Sequence, residues 1–486
     1  MDRRHLLQLT GAALLAGGLP PGCAPRRTAA PAGPADHTIR LASGLVELAP
    51  DKIISTTTYN GQFPGPLLRL IEGRPVVVDI HNDTDTPEQL HWHGLKIPVD
   101  VDGSSEEGTP FIPAHGSRRI SFTPGPAGLR FYHSHLRAGA DLNAGQYSGQ
   151  VGPVYVEPRR QPGRYDREVF LTLKEFEPAL SRGGDMAMDF LAPSDTDPGL
   201  KARGETAMNA SLARGAPHGF EVGYSLFAIN GRMLGHGEPI RVKQGERVLL
   251  HVVNGSATEI RSLALPGHSF QVVALDGNPV PTPAEVPVLW LGTAERVSAI
   301  VEMNKPGVWV LGDTAEDDRK NGMGVVVEYA GRSGEPAWTS PPKAPWDYRR
   351  FGRPGAATPP DQIFEMTFAK DNAALGGFNR WTINGVAFDD RAMDPMFKRR
   401  RGRRYRLRLR NASDDIHPVH LHRHSFELTR IAGQPTAGVV KDVVMLGGYQ
   451  VAEVDFVADN PGRTLFHCHQ QLHMDFGFMA LFDYEA

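Results

Sequence analysis

The chain has 486 residues, too many for one ordinary core, so two to four domains are expected. Its 40% hydrophobic and 22% charged residues describe a globular protein, and a net charge of −3 argues against a nucleic-acid partner. Gly 53 and Pro 40 favour turns and short strands over long helices, and two cysteines exclude a disulfide framework.

Residues 1–36 read as a signal and leader. Arg3-Arg4-His5-Leu6-Leu7, then an apolar stretch from Leu9 to Leu19, has the form of a twin-arginine export signal. The stretch is too short and too rich in glycine to span a bilayer. Ala30-Pro31-Ala32 is a candidate cleavage site. Cys23 raises lipid attachment as an alternative, which Pro20, where a lipoprotein signal carries Leu, disfavours. The expectation is a bacterial periplasmic protein, exported by the twin-arginine machinery, and a monomer.

Three segments then open alike. The first runs through Tyr59-Asn60-Gly61 and Gly73 to Asn82; the second through Ile229-Asn230-Gly231 and Gly245 to Asn254; the third through Ile383-Asn384-Gly385 and Gly402 to Asn411. Apolar residues alternate before each final Asn, the mark of a strand with one face on a core. The closes match too: His133-Ser134-His135, Gly312-Asp313-Thr314 and His467-Cys468-His469 fall at one position of the unit. The fold therefore does not require histidine there. The expected architecture is all-β, three consecutive antiparallel β-sandwich domains at 37–160, 165–330 and 362–486, with a linker at 331–361.

Residues 177–225 interrupt the strand pattern and are expected to hold a short helix or a covering loop. Asp185-Met186-Ala187-Met188-Asp189 offers thioethers that suit Cu(I), with ordinary packing as the alternative. The acidic run Asp313, Glu316, Asp317, Asp318 reads as solvated. Arg406, Arg408 and Arg410 alternate with apolar residues and read as a solvated face of a half-buried strand.

Four histidine clusters stand out: His91-Trp92-His93, His133-Ser134-His135, His417-Pro418-Val419-His420-Leu421-His422, and His467-Cys468-His469 with His473. Strand parity puts His91 with His93, His133 with His135, His420 with His422, and His467 with His469. That makes eight imidazoles, enough for three copper ions, drawn from the first and third units. Cys468 points the other way. His417, an odd number of residues from His420, can join it with His473 in a His2Cys trigonal set, the blue-copper pattern, although Pro418 leaves its geometry open. His424 matches His268 of the middle unit and reads as structural.

With these motifs in this order, residues 40–486 resemble the three-domain multicopper oxidases of the laccase, ascorbate oxidase and bacterial copper-tolerance type. The resemblance implies cupredoxin-like domains and four coppers per chain. It implies a type 1 copper on His417, Cys468 and His473, and a type 2 copper on His91 and His420. A type 3 pair would lie on His93, His133, His469 and on His135, His422, His467. It implies one-electron oxidation of a phenol, an aromatic amine or Cu(I), with electrons passing from Cys468 to His467 and His469 and reducing O2 to water. The complete ligand set argues against the copper-free scaffold proteins that share this fold.

The sequence departs from some relatives at the axial position, where Phe478 stands in place of a methionine and Met479 follows; a non-ligating Phe478 is expected. Asp102 resembles the acid that relatives place near the type 2 copper, with a plain Asp-Gly turn as the alternative. Met474 occupies the place of a second acid found in some bacterial relatives, and Asp475 lies one residue further.

Overall fold

The computed structural model describes residues 33–159, 163–182, 190–193, 195–216, 218–355, 357–389, 391, 394 and 396–485. The leader with Arg3, Arg4 and Cys23, and the pair Met186 and Met188, lie outside the described residues.

The strands form three units. In the first, one sheet runs in the order Lys52–Tyr59, His37–Ala49, Val76–Asn82, Ser117–Phe122. It faces a second sheet in the order Leu68–Ile71, Val151–Glu157, Gly128–His133, His91–His93. The period-2 pattern explains the layering. Val76, Val78 and Ile80 turn inward beside Ile39 and Leu41, and meet Trp92, Tyr132 and Val154 of the opposite sheet. Each such side chain contributes about 1.5–3 kcal/mol by leaving water.

The third unit repeats the plan. Its six-stranded sheet runs Phe378–Ile383, Gln362–Leu375, Arg404–Asn411, Val451–Val457, Phe426–Ile431, Gln434–Lys441. Opposite lie Phe397–Arg399, Met479–Tyr484, Thr464–Cys468, His417–Leu421 and Val443–Leu446. The middle unit has a six-stranded sheet of the same design. Antiparallel pairing dominates. In each unit the opening strand also runs parallel to the strand ending in the shared Asn: His37–Leu41 with Val78–Asn82, Arg167–Leu173 with Val248–Asn254, Gln362–Phe368 with Tyr405–Asn411.

Those asparagines are buried pins. Asn82 donates through its amide to the carbonyls of Thr86 and Ile112, Asn254 to Glu259 and Leu291, Asn411 to Asp415 and Gly447. One residue satisfies two loop carbonyls in every copy, which is why each unit retains it. The stretch 331–361 is packed: Trp346, Tyr348 and Phe351 are buried, and Tyr348 donates to Glu295 at 2.6 Å.

Three readings are corrected. The arginine face is an ion-pair ladder and not a solvated surface. Arg404 reaches Glu427 at 2.7 Å, Arg406 reaches Asp455 at 2.7 Å, and Arg408 reaches Glu453 at 2.8 Å. The acidic run is partly interior: Asp313 is buried and accepts from Ser262 Oγ at 2.7 Å, and Asp318 pairs with buried Arg261 at 2.5 Å. The interruption at 177–225 is narrower, because Glu221–Tyr224 pairs with Pro178–Ser181. Between them lies a helix, Pro198–Ala213, capped by Asp197, whose carboxylate accepts from the N–H groups of Gly199 and Leu200.

Candidate metal centre

Register assembles the histidines. His91 lies opposite His133 in the first unit, and His420 lies opposite His467 in the third. The two histidine-bearing faces meet across the interface between these units. Their rings interleave: His93 stacks on His420 at 3.8 Å and His91 on His422 at 4.1 Å. Three trios have ligand atoms mutually within 4.8 Å: His91, His93, His420; His93, His133, His469; and His135, His422, His467. All eight rings are buried.

Cys468 faces the other way, into the third sandwich, opposite Val419. Its Sγ lies 3.7 Å from His417 Nδ1 and 3.5 Å from His473 Nδ1, and these three form a fourth trio. Extended geometry at Pro418 keeps His417 on the Cys468 side while His420 and His422 stay on the other. His473 comes from a short helix, Gln471–Asp475, directly after the strand. His417 Nε2 bonds Ser413 Oγ at 2.8 Å, and the Trp381 ring lies 4.2 Å from the His473 ring. Phe478 is buried with its ring 4.8 Å from that of His417, and its carbonyl accepts from the Cys468 N–H. Met479 pairs opposite His467 and packs with Leu465, Met474 and Leu481, away from the sulfur.

Acids surround the eight-histidine centre. Asp102 Oδ2 lies 3.0 Å from His422 Nδ1 and 3.1 Å from His91 Nδ1. The turn and the acid are one device. Gly103 has φ +97°, and a Cβ there would fall 1.9 Å from the Leu90 carbonyl oxygen. Burial works to raise the Asp102 pKa, but His91 beside it and Arg423 hold it below the ordinary value. Burial, and then the Asp102 charge, push Glu107 well above the carboxylate range. Asp475 is buried, accepts from the N–H groups of Ala138 and Gly139, and is pushed by burial up to about 7.

Glu106, Glu107 and Asp442 had no signal in the sequence. Glu106 Oε2 lies 3.7 Å from His135 Nδ1, and Asp442 Oδ1 lies 3.1 Å from His93 Nε2. A Ser-Ser-Glu-Glu run after an Asp-Gly turn reads as solvated, and Asp442 carries no spacing relation to any histidine. Their approach to the histidines exists only in three dimensions.

The donor set fits copper. Among the described residues, buried ring nitrogens without a protein partner include His91 Nε2, His93 Nδ1, His133 Nε2, His420 Nε2, and both nitrogens of His135 and of His469. An unpaired buried polar atom is costly, and a coordinated cation offsets that cost. Burial, then the neighbouring rings, push His93, His133, His420, His422, His467 and His469 well below the ordinary histidine value, so they stay neutral and able to ligate. Burial lowers His473 to about 4. Burial raises the Cys468 thiol, and a bound cation is what would make it a thiolate. Eight imidazoles and one His2Cys set favour copper over calcium or magnesium.

Comparison with known proteins agrees. Residues 45–161, 203–329 and 358–486 match three multicopper oxidase family models. A multicopper oxidase of Mycobacterium tuberculosis is 30% identical over 447 residues, spanning 89% of this chain and 84% of its own length. Laccase-4 of Thanatephorus cucumeris is 26% identical, spanning 87% and 85%. The crystal structure of a multi-copper oxidase from Pseudomonas thermotolerans superposes with a TM-score of 0.68 at 24% identity, over 93% of this chain and all of that one, and shares its fold. The paired histidine faces, the buried sulfur between two imidazoles and these relatives converge on one conclusion: the chain belongs to the multicopper oxidase family and is a copper-dependent oxidoreductase that uses O2.

Proposed function

We propose that this oxidase takes electrons singly from a small aromatic reductant, a phenol or an aromatic amine, at the Cys468, His417 and His473 trio. The laccase relative supports this class of donor. The observation that carries the reading is the strand Thr464–Cys468, which points its sulfur into one trio and sets His467 in another. We assign His417, Cys468 and His473 to type 1, and His91 and His420 to type 2. His93, His133, His469 and His135, His422, His467 hold the type 3 pair. Copper held at these positions would supply one-electron redox chemistry for the reduction of O2.

The residues do the rest. Cys468, through its backbone to His467 and His469, is the covalent route between the two sites. Trp381 and Phe478 pack against the trio and exclude water from it, and the Phe478 ring brings no donor atom to it. Asp102, ionised against His91 and His422, is placed to accept and pass on protons that water formation consumes.

Cu(I) as donor is a second reading. Asp414 and Asp415 both pair with Lys370 at 2.7 Å, and Asp415 acts on His473. Glu221, which burial and then Asp415 push up to about 8, lies in the same group. O2 uptake by the copper-loaded chain with a phenol and with Cu(I) separates the two. Uptake with neither donor, from a chain holding four coppers, would refute both. The leader is proposed to direct twin-arginine export to the periplasm; sequencing the N-terminus of the mature protein checks it, and a retained leader would refute it.

A further inference from the structure

The middle unit supplies no ligand, yet one of its side chains reaches the centre. Arg296 opens the strand Arg296–Glu302 and is fully buried. Its guanidinium grips Asp442 of the third unit with two arms, Nη1 to Oδ1 and Nη2 to Oδ2, each at 2.6 Å. Arg130 of the first unit adds a contact to Oδ2 at 3.3 Å. Asp276, also of the middle unit, accepts through Oδ2 from the N–H groups of Asp442 and Val443, at 3.2 and 3.1 Å.

Asp442, so held, faces two histidines from two different units. Its Oδ1 accepts from His93 Nε2 at 3.1 Å, and its carbonyl accepts from His420 Nδ1 at 2.7 Å. A neutral imidazole that donates from one nitrogen presents a lone pair on the other. His93 therefore presents Nδ1 and His420 presents Nε2, and these are the two nitrogens without a protein partner. His93 is unusual in this. His91, His133, His420, His422 and His467 all engage Nδ1 in bonds to oxygen, which turns Nε2 inward. The reversed face of His93 follows from where Asp442 stands. Gly94 has φ +79°, and a Cβ there would lie 2.6 Å from Arg296 Nη2 and 2.8 Å from Asp442 Oδ2. The residue after His93 has to be glycine for the clamp to close.

We propose that Arg296 and Asp442 are positioning residues through which the ligand-free middle unit sets the ring face of His93 and holds it against His420. This rests on the copper assignment above. A bidentate guanidinium is needed because it fixes both carboxylate oxygens, where a lysine fixes one point.

The test uses the full chain loaded with copper, in wild-type, Arg296→Lys and Asp442→Asn forms. The expected result is a retained blue type 1 band, an altered type 2 electron paramagnetic resonance signal, and about 10- to 100-fold weaker retention of the three interface coppers against a chelator. Arg296→Gln should lose them more completely than Arg296→Lys. A purely structural ion pair would instead lower the melting temperature while leaving both signals in native proportion, and that result overturns the proposal. Failure of both conservative variants to fold would assign the pair to folding and overturn it equally. A wild-type chain that takes up no copper would refute the copper assignment, a distinct outcome.

Discussion

Phe478 decides the character of the type 1 trio. Its ring lies 4.8 Å from the ring of His417, while the thioether of Met479 is directed into the Leu465 and Leu481 cluster. Phe478→Met places a donor on the sulfur side of the sheet and should stabilise the oxidised site. The type 1 potential is expected to fall by about 60 mV or more, the shift that a tenfold preference produces in a one-electron couple. Redox titration of the blue band measures it, and an unchanged potential would place the side chain away from the metal. Asp102 is the second test at this scale. Asp102→Asn keeps the turn but removes the charge between His91 and His422. Reoxidation by O2 after rapid reduction should slow about 100-fold with the blue colour intact; native reoxidation would leave Asp102 as a turn residue only.

At the scale of elements, much could be read from the chain. Asn60, Asn230 and Asn384 all adopt φ between 52° and 56°, each followed by a left-handed glycine, so the repeated Asn-Gly pair was reporting one turn in three copies. Period-2 parity placed Cys468 opposite in direction to His467 because both lie in one regular strand. The helix Pro198–Ala213 was less legible because it has little amphipathic character; it is docked by contacts with the strand Gln362–Leu375, Asn372 to Met208 at 3.2 Å among them, and by one close approach. A Cβ on Gly204 would lie 2.5 Å from the Tyr449 ring and 2.7 Å from the Ala412 carbonyl oxygen. Gly204→Val should therefore undock the helix and cost about 1–3 kcal/mol, against the usual gain from removing a helical glycine. Limited proteolysis within 198–213 should accelerate; unchanged cleavage would contradict the packing.

At the scale of the molecule, the unreadable part was the pairing of distant charges. Arg296 with Asp442, and Glu107 with the Leu465 N–H at 2.7 Å, join residues far apart in sequence and from different units, and neither carries local periodicity. The same burial gives a pH signature. Histidines whose folded pKa lies below the unfolded 6.5, His473 at about 4 among them, let the unfolded chain bind more protons on acidification. Their contribution is present above pH 6.5 and is lost as pH falls toward 4. Asp475, Glu88 and Glu259, raised to about 7, Glu221, raised to about 8, and Glu107 act in the opposite sense, but the lowered histidines outnumber them. The copper-free protein should therefore lose melting temperature steeply below pH 6.5, and the copper-loaded protein much less so. Parallel curves would show that the rings are not the titrating groups.

The interface between the first and third units has a further consequence. Ligands at His91 and His469 join points roughly 380 residues apart, so the metal centre closes the chain into a loop as a cross-link would. Loop-closure entropy for that length comes to about 5–6 kcal/mol. Copper should then couple the outer units into one cooperative transition. Because His467 and His469 come last of the eight imidazoles in chain order, that cross-link can form only after the third unit has been made.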